Sequence, residues 1–125
     1  MSALRTRTAA TLLALAMTAA ASAPASARTI YDGVWSVVVA AESGTCSGAY
    51  RYPVAIVNGY VRHIDPSDAS FDIRGRVGAG GRVNVQVTRG DQRAFGVGRL
   101  ERFAGGGTWQ SPNGCGGHWE ASRRD

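Results

Sequence analysis

Ala49-Tyr50-Arg51-Tyr52-Pro53-Val54-Ala55-Ile56-Val57-Asn58-Gly59-Tyr60-Val61-Arg62-His63-Ile64 is the stretch on which the fold turns. Tyr50, Tyr52, Val54 and Ile56 alternate with Arg51, Pro53 and Ala55, the period of a half-buried strand whose successive side chains point to opposite faces. Asn58-Gly59 follows at once. A type I′ turn needs positive φ at both central residues, and asparagine followed by glycine meets that need at the lowest steric cost. The spacing therefore predicts a hairpin: Tyr60 to Ile64 pairs back on the first arm, Val57 faces Tyr60, and Val61 shares a side with Ile56.

The same period continues in both directions. Val34 to Ala40 puts Trp35, Val37 and Val39 on one face. Ser70 to Val77 alternates Phe71, Ile73, Gly75 and Val77 with Asp72, Arg74 and Arg76. Arg82 to Thr88 carries Val83, Val85 and Val87 against Arg82, Asn84, Gln86 and Thr88. Gln92 to Leu100 has two possible inward sets, either Ala94, Gly96, Gly98 and Leu100, or Phe95 and Val97. Gly106 to Gln110 and Gly116 to Arg123 complete the series and carry Trp109 and Trp119. Asp65-Pro66-Ser67-Asp68, Gly78-Ala79-Gly80-Gly81 and Arg89-Gly90-Asp91 are turns. No stretch after Arg28 repeats apolar residues at helical spacing for three turns. These features predict an all-β domain, a small closed or nearly closed antiparallel barrel of about eight up-and-down strands. Closure removes the edges that invite aggregation. The alternative is a β-sandwich of immunoglobulin type, whose cysteine–tryptophan–cysteine core spacing is absent.

Residues 1–27 read as a cleaved signal peptide. Arg5 and Arg7 open it, Thr8 to Ala21 is uncharged and apolar, and Ala25-Ser26-Ala27 ends it with small residues. That run is too short and alanine-rich to span a bilayer. The expected localisation is secreted or periplasmic, with residues 28–125 forming one domain. Cys46 and Cys115 are the only cysteines. In an oxidising compartment two cysteines most simply make one disulfide, and no Cys-x-x-Cys pair or metal-ligand spacing points elsewhere. The bridge would tie the loop after the first strand to the start of the last, strands that are neighbours in a closed meander.

All basic residues are arginines, and removing Arg5 and Arg7 lowers the formal net charge of +5 to about +3. The remaining arginines are scattered among acids, without a basic run or nucleic-acid motif, so nucleic acid is not an expected partner. His63, Asp65, Ser67 and Asp68 invite a triad reading. Residues so close along one turn seldom converge as nucleophile, base and orienter, and a turn is the expected role. Asp65, Asp68 and Asp72 lack the ligand spacing of a calcium loop. His118 follows Cys115-Gly116-Gly117, which is not the haem attachment motif, and reads as an exposed histidine. No catalysis, metal or cofactor is expected.

The aromatics offer the strongest site. Trp109 and Trp119, with Tyr50, Tyr52 and Phe71, would line the mouth or interior of the barrel and hold an apolar ligand, or else fill it. For so small a barrel, filling is the expected outcome.

Gly33-Val34-Trp35 and Arg123-Arg124 resemble the calycin pattern of lipocalins, avidins and the β-barrel bacterial metalloprotease inhibitors. That resemblance implies a barrel whose Trp35 plugs one end beneath Arg123 or Arg124. Tyr31-Asp32-Gly33, Tyr50-Arg51-Tyr52-Pro53-Val54 and Gly107-Thr108-Trp109 are also similar to a group of short exported bacterial proteins without an assigned activity, some labelled for haem use or adhesion. The expected function is binding. The partner would be a small apolar ligand such as haem, or an envelope or extracellular protein. An inhibitor or interaction module would use Glu42 to Gly48 or Ser111 to Gly114.

Overall fold

The computed structural model describes residues 28–43 and 46–124, so the expected signal segment lies outside the described residues. Eight antiparallel strands close into a barrel in sequence order. They are β1 (Gly33–Ser43), β2 (Gly48–Val57), β3 (Tyr60–His63), β4 (Asp72–Val77), β5 (Arg82–Arg89), β6 (Gln92–Leu100), β7 (Ala104–Gln110) and β8 (Gly116–Arg123). β8 returns to β1, with Val37 opposite Ala121 and Val39 opposite Trp119. The meander is therefore closed, and the sandwich alternative is excluded.

Asn58 and Gly59 have φ of 52° and 80°. Both central residues of the β2–β3 turn are thus left-handed, as a two-residue hairpin of this twist requires. Val57 pairs with Tyr60 and Ile56 with Val61. On β6 the inward set is Ala94, Gly96, Gly98 and Leu100, while Phe95 and Val97 are exposed on the outer face. Several strand ends differ from the sequence expectation: β1 extends to Gly33 and Ser43, β2 begins at Gly48, β3 stops at His63 instead of Ile64, and β7 begins at Ala104 instead of Gly106. Two further ends bear on the site. β4 begins at Asp72, because Phe71 leaves the strand line to pack on the rings of Tyr52 and His63. β5 runs one residue further, to Arg89.

The core sits at one end of the barrel. Trp35, 1% exposed, forms its floor among Val54, Ile56, Val61, Val83 and Leu100. The turn at Thr29–Asp32 crosses beneath it and buries Tyr31. The Trp35 indole N–H donates to the Tyr31 carbonyl at 2.8 Å. The Arg123 guanidinium lies 4.7 Å from the Trp35 ring centroid. It also donates to the carbonyls of Asp32 at 2.7 Å and Ile30 at 2.5 Å. One cation thus stacks on the floor and holds the N-terminal turn against it.

The Asp32 carboxylate fastens that turn to the β2–β3 hairpin. It accepts from the amides of Asn58 at 2.7 Å and Gly59 at 3.1 Å and from the Thr29 hydroxyl at 2.6 Å. Desolvation pushes the Asp32 carboxyl up, but these hydrogen bonds outweigh it and hold the group below its ordinary value.

Candidate functional site

Above the floor the barrel is hollow. A cavity of about 950 Å³ runs from Trp35 and Trp119 to an open mouth, walled by Val37, Val39, Val85, Val87 and Ala94. This corrects the expectation of a filled interior. Its volume lies within the range of small-molecule sites, roughly 300–1,000 Å³. Two features keep the space open.

The first is side-chain length. Valine and alanine on the upper inner face are too short to meet across eight strands. The second is where the indoles go. Trp119 lies along the wall instead of across the barrel: its N–H donates to the Val97 carbonyl, two strands away on β6, at 3.1 Å. It passes over Gly107 and Gly98. A Cβ at those positions would stand 2.8 and 2.6 Å from the Trp119 ring, closer than real Cβ contacts allow. Trp109 leans the opposite way, past its β8 partner Gly117, and its N–H donates to the Ala40 carbonyl of β1, two strands away, at 3.0 Å. The Trp119 ring thus occupies space that missing side chains leave free. Each polar N–H is spent on backbone, so the ring surface offered to the cavity is apolar.

The mouth is built by the β1–β2, β5–β6 and β7–β8 loops. Cys46 and Cys115 form a disulfide there, with Cα atoms 5.6 Å apart. It joins the β1–β2 and β7–β8 loops across the seam between β1 and β8. Ser47, Gln92, Ser111 and Asn113 add hydrogen-bonding groups to the rim, and Arg89, Asp91 and Arg93 add charge on one side. Tyr50 and Tyr52 stack with ring centroids 6.3 Å apart on the opposite part of the wall. Burial pushes the Tyr52 phenol up, while the nearby Arg89 charge pulls it the other way.

Of the aromatics singled out in the sequence, Trp109, Trp119, Tyr50 and Tyr52 meet on this one cavity, and Phe71 does not. Phe71 lies behind Tyr52, with centroids 5.0 Å apart, and 4.1 Å from the His63 ring. Its position before β4 lets it close the gap left by the short β3. Trp35 and Arg123 meet at the floor, as described above. The sequence expectation ends this strand at Thr88 and leaves Arg89 in the turn, whereas β5 runs to Arg89. The Val83, Val85, Val87 alternation continued by one step marks it as inward.

Neither histidine lines the cavity. His63 accepts from the Asp65 amide at Nδ1, 2.9 Å, and its Nε2 faces the Asp68 carboxylate at 3.4 Å. The Ser67 hydroxyl donates to Asp65, not to His63, at 2.6 Å. Hydrogen bonds from Ser67 hold the exposed Asp65 carboxyl below its ordinary value, and bonds from Ser70 do so for Asp68. The group is a network of turn hydrogen bonds in which no hydroxyl is aimed at the imidazole. His118 lies on the outer face, its Nδ1 2.6 Å from Glu42. Among the described residues no cluster of three or more metal-ligating side chains occurs, and no helix is long and apolar enough to cross a membrane.

No protein-family model, curated protein or solved structure matches the chain.

Proposed function

We propose that this protein is an exported, calycin-like binding protein that holds one apolar small molecule in its cup. The open cavity of about 950 Å³ carries this reading. Its walls combine short aliphatic side chains with indole rings whose N–H groups already have partners, so an apolar guest gains burial without stranding a donor. The disulfide is compatible with an extracellular or periplasmic location. The calycin reading is supported by the closed eight-stranded barrel and by Arg123 stacked on Trp35. An inhibitor or interaction module acting through Ser111 to Gly114 is the second reading, and the hollow interior favours the first. Haem would enter this cup without a histidine ligand, since neither His63 nor His118 lines it.

Titration with the neutral fluorophore 1-aminoanthracene tests the reading. Binding should quench Trp109 and Trp119 emission saturably, with energy transfer to the ligand. Val39→Phe, which puts a ring into the cup, should weaken binding by about tenfold or more while the fold persists. A chain whose emission ignores 1-aminoanthracene, haem and other apolar ligands alike does not use the cup this way.

A further inference from the structure

The cavity is apolar throughout except at its mouth, and the charge there is one-sided. Among the residues lining it, the charged ones are Arg89, Asp91 and Arg93, all from the β5–β6 turn and its flanks. The rim across from them carries Ser47, Ser111 and Asn113, which are neutral. Arg89 continues the inward alternation of Val83, Val85 and Val87, so its stem leaves the strand on the cavity side. It is close enough to Tyr52, a wall residue of β2, to pull on its phenol. Among the described residues the ion pairs join His63 to Asp68, Arg74 to Asp72 and His118 to Glu42; none uses Arg89 or Arg93.

We infer that the guest is an anionic amphiphile, with its apolar body in the cup and a single acidic head group at Arg89, while Arg93, on the outer side of the same rim, adds positive charge nearby. The inference rests on the binding reading above and adds the ligand's polarity and orientation to it. A guanidinium offers a planar fork to a carboxylate, sulfate or phosphate oxygen pair. Asp91 subtracts one charge from this rim and leaves it net positive. It also opposes a second anionic group, which favours a monoanion. An acid carried head-first into the cup would bury its charge among valines without a partner, at a cost no nearby group offsets. The head therefore stays at the rim and the chain points to Trp35.

A matched set with one ten-carbon tail separates the alternatives: decanoate, decyl sulfate, decanol and decyltrimethylammonium, each below its micellar concentration, followed by calorimetry and tryptophan emission. The expected result is that both anions bind about tenfold or more tighter than decanol, and the cation weakest. High salt should erode that advantage without abolishing binding. The double variant Arg89→Gln/Arg93→Gln should bring the anions to within about threefold of decanol. Arg82→Gln, on the outer face, should leave the preference intact. Equal affinity for all four, or an anion preference unchanged in the double variant and in high salt, overturns the head-group assignment while the cup remains a binding site. If none of the four binds and 1-aminoanthracene does not bind either, the cup reading itself falls, and this inference with it.

Discussion

At the residue scale the barrel depends on glycines that are absent side chains more than flexible joints. Gly98 shows this most sharply. A Cβ there would stand 2.6 Å from the Trp119 ring and collide with the Gly106 carbonyl. Gly98→Ala should cost about 1–3 kcal/mol by overpacking, and it should swing Trp119 toward the cavity. Urea unfolding read alongside ligand affinity would reveal both effects. Gly80→Ala is the control. Nothing lies within 4 Å of its added carbon, and its stability should stay within about 0.5 kcal/mol of the parent. Asp32 is a second test at this scale. Its carboxyl is held below the ordinary value in the fold, so its contribution is complete above the unfolded carboxylate pKa of about 4 and is lost as pH falls through the lowered folded value. Asp32→Asn should lower stability by about 1 kcal/mol near neutrality, a modest figure because solvent reaches the group. The gap between parent and variant should narrow in melting curves taken from about pH 6 down to about pH 2. A gap that widened on acidification would contradict this assignment.

At the element scale, strands were the most legible part of the chain. Period-two alternation and turn residues mark all eight, and Asn58-Gly59 sets a hairpin register that the pairing of Val57 with Tyr60 reproduces. Alternation reports which face a side chain leaves from. It does not report whether the side chain then crosses the barrel or runs along the wall. For Trp119 that choice belongs to Gly98 and Gly107 on neighbouring strands, and for Trp109 to the Ala40 carbonyl two strands away, so the ring directions, and with them the hollow interior, are not readable locally. Phe71 was misplaced for a similar reason: the gap it fills exists only because β3 stops at His63. The disulfide belongs to this scale because it links two loops across the closing seam. It encloses about 70 residues, and on chain-entropy reasoning Cys46→Ser/Cys115→Ser should cost roughly 4 kcal/mol. Denaturation with and without reductant should give the parent a comparable loss. A much smaller loss would mean that the β1–β8 pairing alone fixes the seam in the unfolded-state reference as well.

At the scale of the whole molecule, packing and vacancy divide between the two ends. The floor is a cation-stacked tryptophan with a dense apolar cluster, and the upper half is an unfilled tube with a bridged rim. An occupant adds contacts only to the native state, so ligand at about a hundred times its Kd should stabilise the fold by about 2.7 kcal/mol. Thermal scans at rising decanoate should show the melting point climbing without a plateau at stoichiometry, and Val39→Phe should suppress the climb.

The described chain enters and leaves at the floor, where Arg123 holds the Ile30 carbonyl and the Arg124 amide donates to the Val34 carbonyl at 2.9 Å. Both tethering points therefore lie on the side away from the mouth. A support, a dye or a partner domain grafted ahead of Arg28 or behind Arg124 would leave the opening facing outward and unobstructed, so the barrel can be mounted on a sensor surface by either end and still be loaded from solution.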